Sequence, residues 1–198
     1  MSPVTDAAPT LRRAGRDDAA GLAEFAARTF RETYAPPHGD SAPADVDAYV
    51  AAHFTPADQA AELADPALCT LIADVGGTTV GYAQVRAGAT PAAADDFAPL
   101  PAEDGRPLLL PLATAELARL YVDRAWHGAG LATILFDAAR HEAAAWGAGA
   151  LWFSVYQGNA RALAFYRKRG ARPVAAATFR MGNDLQHDWL LAVATGPG

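Results

Sequence analysis

Hydrophobic and polar positions along this chain fall into two alternating kinds of stretch. Short apolar runs rich in β-branched and aromatic residues occur at Thr10–Arg13, Leu68–Val75, Thr79–Arg86, Leu120–Val122, Ala150–Tyr156, Val174–Met181 and His187–Val193, and each reads as a strand. Between them, apolar residues recur at three and four positions, the spacing of a helix with one buried face. This predicts a helix from Arg16 or Asp17 to about Tyr34, with Leu22, Phe25, Ala26, Thr29 and Phe30 inward. Two short helices follow at Asp45–His53 and Pro56–Leu63, the second announced by Thr55 as N-cap and Pro56 at its first position. A longer one runs from Leu131 to about Trp146 with Leu131, Ile134, Leu135, Ala138 and Ala139 inward, and a last one over Ala160–Arg169 is closed by Gly170. Gly76-Gly77 reads as a two-residue hairpin turn and Gly182-Asn183-Asp184 as a second turn.

Two stretches lack either pattern. Residues 1–8 read as a flexible lead-in. Residues 87–112, rich in Ala, Pro and Gly and carrying Asp95, Asp96, Glu103 and Asp104, read as a long loop insertion. That insertion is open between an extension of the preceding hairpin and a flap over an acceptor site. With no internal repeat and no linker, residues 9–195 are expected to form a single α/β domain, about seven strands flanked by helices.

Composition narrows the picture. A chain of 198 residues is long enough for one such core. Its net charge of −6 argues against a broad nucleic-acid surface and suits a small cationic partner. Cys69 is the only cysteine, so no intramolecular disulfide forms, and its apolar run predicts a buried thiol. No apolar run reaches the roughly 18 residues of a membrane helix. The start MSPVTDAAPTLRRAG has no basic segment followed by an apolar one, so a cytoplasmic protein without a membrane partner is expected. His38, His141 and His187 have no spacing that makes a metal site, and none is expected.

The informative stretch is Arg119–Leu135, RLYVDRAWHGAGLATIL. An apolar strand ends in Leu-Tyr-Val-Asp, a small-residue turn follows, and a helix opens at Leu131. First-turn N–H groups have no partner inside a helix, and glycine lets an anion approach them closely. His127-x-x-Gly130-x-Ala132 after such a strand resembles the acetyl-CoA signature of the GNAT superfamily of N-acetyltransferases, with His127 where Arg or Gln is usual. Asn159–Ala171, NARALAFYRKRGA, resembles that family's Asn-x-x-Ala-x-x-Phe-Tyr segment, with Ala171 where Phe is usual. The chain ends resemble the PaiA-like subgroup, which acts on polyamines among other amines. The carriers are Phe30–Tyr34 (FRETY), then Tyr49 and Phe54, and the pattern Met181-Gly-Asn-Asp-x-Gln-x-Asp188.

The resemblance implies a mixed, mostly antiparallel sheet whose splayed central strands hold acetyl-CoA, and transfer of its acetyl group to a small primary amine. The pantetheine arm would lie between the strand ending at Val122 and the strand ending at Tyr156, held by the backbone of Leu120, Tyr121 and Val122. The pyrophosphate would meet His127, Gly128, Ala129, Gly130, Leu131, Ala132 and Thr133. Asn159 would bond pantetheine amides and Lys168 the 3′-phosphate, with Arg161 a further cation nearby. Tyr166 would be the acid that protonates the thiolate, since a phenol keeps its proton through the neutral range. Glu116, six residues before Val122 and on one face with Ala118 and Leu120 by alternation, would accept the amine proton. Tyr34, Tyr49 and His53, with Phe54, would wall the acceptor; packing between the early helices and the sheet is the alternative role. A protein or peptide acceptor and a non-catalytic acyl-CoA sensor stay open, as does assembly into the strand-edge homodimers common in the superfamily.

Overall fold

A computed structural model describes residues 8–34, 36, 40–101, 110 and 113–196. Most of the expected lead-in, His38, Glu103 and Asp104 lie outside the described residues. Eight strands form one mixed, open sheet in the order β1-β2-β3-β5-β6-β8-β7-β4. They are β1 (Thr10–Arg13), β2 (Leu68–Val75), β3 (Thr78–Ala87), β4 (Ala98–Pro99), β5 (Thr114–Val122), β6 (Ala150–Tyr156), β7 (Arg172–Met181) and β8 (Asp184–Ala194). The helices are α1 (Ala19–Tyr34), α2 (Pro43–His53), α3 (Pro56–Ala64), α4 (Leu131–Ala145) and α5 (Ala160–Arg167). By its contacts the chain divides into two units, the residues up to Gln84 with Arg119–Ala139, and Val85–Ala118 with Arg140–Gly198.

In the first unit α1 buries Leu22, Ala23, Phe25, Ala26, Thr29 and Phe30 and packs on α2 and α3. Thr29 is tolerated there because its hydroxyl donates back to the Phe25 carbonyl at 2.9 Å. Thr55 caps α3 through a reciprocal pair. Its Oγ1 accepts from the Asp58 N–H at 3.1 Å, while Asp58 Oδ2 accepts from the Thr55 N–H at 3.0 Å. Thr55→Ala is expected to cost about 1 kcal/mol, read as a lower midpoint in urea with an unchanged slope. An unchanged midpoint would show that the α3 start is held by packing alone.

Helix α4 corrects one expectation. Leu131, Leu135, Phe136, Ala139 and Ala143 are buried, whereas Ile134 is 50% exposed. At about 100° per residue the buried arc runs from Leu131 through Leu135 and Ala139 to Phe136, and Ile134 falls just outside it on the Leu131 side. Cys69 is buried, as its apolar run predicted.

In the second unit β6 is the spine. It pairs antiparallel with β8 over its whole length, from Ala150↔Ala194 to Tyr156↔Asp188. Its parallel ladder with β5 spans only Thr114–Glu116 against Ala150–Trp152. Beyond β8 lies β7, and beyond β7 the segment expected to be structureless. Ala98 and Pro99 pair with Ala176 and Ala175 as β4, and the Leu100 N–H donates to the Val174 carbonyl at 2.9 Å. Thr178 holds the same segment through the Asp95 carbonyl and the Asp96 carboxylate. Ala89, Ala94, Phe97 and Leu110 pack on Trp152, Val174, Ala175, Ala177, Leu190 and Ala192. The insertion therefore supplies an eighth strand and an apolar cover for one sheet face, instead of lengthening the β2–β3 hairpin. Alternating runs of two residues carry too little periodicity to be seen in advance.

Candidate functional site

In the first unit the chain leaves β5 at Val122, makes a short turn over Arg124–Trp126 and enters α4 through Gly128 and Gly130. Both glycines have left-handed backbone, φ +84° and +85°, a conformation that strains any residue with a Cβ. Thr133 and Ile134 already donate to the Gly130 carbonyl at 2.9 and 3.2 Å. Within the turn the Ala129 N–H donates to the Trp126 carbonyl at 3.3 Å and the His127 N–H to the Arg124 carbonyl at 3.1 Å, and the first-turn N–H groups of Leu131 and Ala132 are those a helix start leaves for an outside acceptor. His127 is exposed, and its Nε2 lies 3.0 Å from the Val122 carbonyl, which ties the loop to the end of β5. Helix α4 comes close to β3 because Gly81 has no side chain: a Cβ there would stand 3.0 Å from Leu135 Cδ1 and 3.2 Å from the Tyr121 carbonyl.

Tyr34, Tyr49 and His53 converge with Tyr121 of β5 on one aromatic cluster. Phe30 is its hub, with ring centroids 4.4 Å from Tyr34, 5.0 Å from Tyr49, 5.2 Å from Phe54 and 6.5 Å from Tyr121. Tyr49 adds His53 at 4.3 Å, and Tyr121 stacks on Tyr82 at 5.8 Å. Burial pushes the Tyr49 phenol above its ordinary value, and pushes the fully buried Tyr82 well above it. Tyr34 and Tyr49 rest on Phe30 and keep partial exposure, and His53 beside Tyr49 is exposed.

Beside this cluster lies a largely shielded ion pair, its side chains 17% and 21% exposed, that sequence reasoning missed. Arg119, the residue before Leu120, donates from Nη1 and Nη2 to Glu62 of α3 at 2.5 and 2.9 Å, and its guanidinium lies 4.8 Å over the Phe54 ring. The amides of Gln59 and Gln84 also donate to Glu62, at 3.2 and 3.1 Å. Burial works against the Arg119 charge, but the hydrogen bonds and charge of Glu62 outweigh it and raise its pKa. Arg and Glu here are 57 positions apart, and nothing local in either stretch marks a partner.

The second unit holds Glu116, Asn159, Tyr166 and Lys168. Glu116 is partly exposed, and its carboxylate lies 3.7 Å from Arg86 Nε. Asn159 caps α5, its Oδ1 accepting from the Ala162 N–H at 3.0 Å. Tyr166 is buried on the sheet, its ring 4.2 Å from Phe153 and edge-on to Phe165 at 5.0 Å. Lys168 is exposed at the end of α5. Ser154 donates a hydrogen bond to the buried carboxylate of Asp188, of which only Asp188 entered the sequence analysis, as the end of a signature. Among the described residues no three His, Cys, Asp or Glu side chains gather as metal ligands, and no helix is long and apolar enough to cross a membrane.

A glycine turn between a strand of a mixed sheet and a helix N-terminus is an arrangement that can take a phosphate group. The model of the acetyltransferase (GNAT) family matches residues 26–171, and the chain belongs to that family. An uncharacterized N-acetyltransferase of Mycobacterium tuberculosis is 33% identical over 174 residues, 88% of this chain and 96% of the relative. Among solved structures, the PaiA N-acetyltransferase of Thermoplasma acidophilum in complex with coenzyme A superposes with a TM-score of 0.68 at 16% identity, covering 94% of this chain and 99% of that one. An acetyltransferase of Salmonella typhimurium with acetyl-CoA gives 0.61 at 18%, covering 96% of each. The chain is a GNAT-family acetyltransferase with acetyl-CoA as its cosubstrate, and the residues of its β5–α4 turn fit that group: two glycines at positive φ and unsatisfied helix-start N–H groups.

Proposed function

We propose that this enzyme acetylates a primary amine of a small molecule, a polyamine being the acceptor the subgroup resemblance favours. The observation that carries the reading is the β5–turn–α4 element, whose Gly128 and Gly130 conformations hold a helix start open to a phosphate. In it the N–H groups of Gly128, Gly130, Leu131 and Ala132 take the pyrophosphate, with the Ala129 N–H held by the Trp126 carbonyl, His127 anchoring the turn to Val122 and Thr133 completing its first helical turn. The backbone of Leu120, Tyr121 and Val122 takes the pantetheine arm, with the Asn159 amide as a further partner and Lys168 near the 3′-phosphate. Acetyl-CoA supplies the thioester carbon that the amine attacks.

Each catalytic role answers a charge that the reaction creates. Attack requires a neutral amine, so a carboxylate must accept a proton, and Glu116 serves. Expulsion creates a thiolate, and the Tyr166 phenol protonates it. The aromatic rings of Tyr34, Tyr49 and His53 present π faces, which attract alkylammonium groups. The acidic pattern that closes the chain, MGNDLQHD, and the net charge of −6 support a cationic acceptor.

The test is free-thiol release from acetyl-CoA over a panel of spermidine, spermine, amino acids, aminoglycosides and lysine peptides. Turnover highest on the polyamines is expected. Turnover confined to lysine peptides would replace the acceptor, and binding of acetyl-CoA with no turnover on any amine would replace the enzyme by a sensor.

A further inference from the structure

An alkylammonium that becomes an amide loses two protons from nitrogen. The thiolate takes the proton of the Tyr166 phenol, which solvent then restores, and the two protons from nitrogen need acceptors of their own. Glu116 is one proton acceptor in the reading above, and the second unit contains another on the same sheet face. Paired residues of a sheet present their side chains to one side. Glu116 of β5 pairs with Trp152 of β6, Ser154 is two residues further along β6, and Tyr156 pairs with Asp188 of β8. Glu116, Ser154 and Asp188 therefore share a face, while Phe153 and its partner Tyr166 occupy the other.

Asp188 is only 6% exposed, among strand positions otherwise filled by Leu190 and Ala192. Its Oδ2 accepts from the Ser154 hydroxyl, and its Oδ1 has no hydrogen-bond partner among the described residues. Ser154 itself is exposed. A buried carboxylate with one oxygen unsatisfied is costly as an anion and gains by taking a proton. The exposed serine hydroxyl joins it to the surface.

We propose that Ser154 and Asp188 form a proton relay that receives one of the two protons leaving the acceptor nitrogen, an inference that rests on the acetyltransferase reading. An N–H bond of the acceptor breaks as an O–H bond forms at Ser154 Oγ. The original serine proton passes along the existing hydrogen bond to Asp188 Oδ2. The serine ends unchanged, Asp188 ends neutral, and nitrogen keeps the electron pair. Ser154 touches the acceptor, and Asp188 acts through it. Burial places the Asp188 carboxyl above the usual carboxylate range, with the Ser154 hydrogen bond and His187 pulling the other way. Around it β6 presents Ser154, Tyr156 and Gln157, β7 presents Ala177 opposite with Thr178 and Phe179 beside it, and β8 itself carries Gln186 and His187. His187 is the charged neighbour to allow for.

The experiment follows kcat against pH, with whichever amine of the panel turns over fastest, for the wild type, Asp188→Asn, Ser154→Ala and Ser154→Thr, together with acetyl-CoA affinity by calorimetry. Asp188 must be ionised to work, so kcat should rise with pH along an acid limb. The part of that limb due to Asp188 is expected to be lost in Asp188→Asn, leaving the part due to Glu116, with kcat down roughly a hundredfold, the low end of general acid–base effects. Ser154→Ala should match it, Ser154→Thr should keep the limb and most of the rate, and acetyl-CoA affinity should hold in all. Wild-type turnover with the limb intact in Asp188→Asn, or a Thr variant as slow as Ala, overturns the relay alone. Absence of wild-type turnover on every amine overturns the acetyltransferase reading and the relay with it.

Discussion

Tyr166→Phe is expected to lower kcat by about a hundredfold or more, the range in which a positioned acid contributes, while acetyl-CoA affinity and stability stay near wild type. The reason is geometric. The ring is buried against Phe153 at 4.2 Å and Phe165 at 5.0 Å, and phenylalanine keeps both contacts while removing only the hydroxyl. A loss in kcat without a change in affinity or folding then isolates the proton. Thiol release under saturating acetyl-CoA, paired with calorimetric binding, separates the two. An unchanged kcat would remove Tyr166 from the chemistry and leave it a packing residue of α5.

The second large effect is on stability. Glu62→Ala leaves Arg119 charged, mostly buried over Phe54 and without its bidentate partner, and strips Gln59 and Gln84 of a shared acceptor. Breaking one side of such a pair costs about 3 kcal/mol or more, which at this size lowers Tm by roughly 6–12 °C. Arg119→Met in the same chain should restore much of the loss, since a neutral, flexible side chain can fill the space without an uncompensated charge. Thermal melts of the single and double variants check this. A single variant within a degree or two of wild type would mean that water already screens the pair.

The parts of the molecule that could be read in advance were those encoded locally. Thr55-Pro56, Gly76-Gly77 and the small-residue turn before Leu131 act through their own backbone, so their residue types suffice to announce them. The aromatic positions Tyr34 and Tyr49 were placed correctly near each other because the subgroup pattern spans both helices. What escaped detection acts across distance. Arg119 and Glu62 meet only after α3 has folded onto the sheet, and Asp188 gains meaning only when β8 sets it beside Ser154. Ile134 shows the limit of periodicity from the other side: an apolar residue one step outside a buried arc looks the same in one dimension as one inside it.

The short terminal strands of the sheet have a colloidal consequence. A sheet that does not close offers unpaired backbone groups at both borders, and such borders invite other chains to add on. Here β1 is four exposed residues carrying Arg12 and Arg13, and β4 is two residues ending in Pro99, which has no N–H to donate. The insertion before β5 thereby ends the β7 side of the sheet on a residue with no N–H to donate, and shortening it is expected to lower solubility.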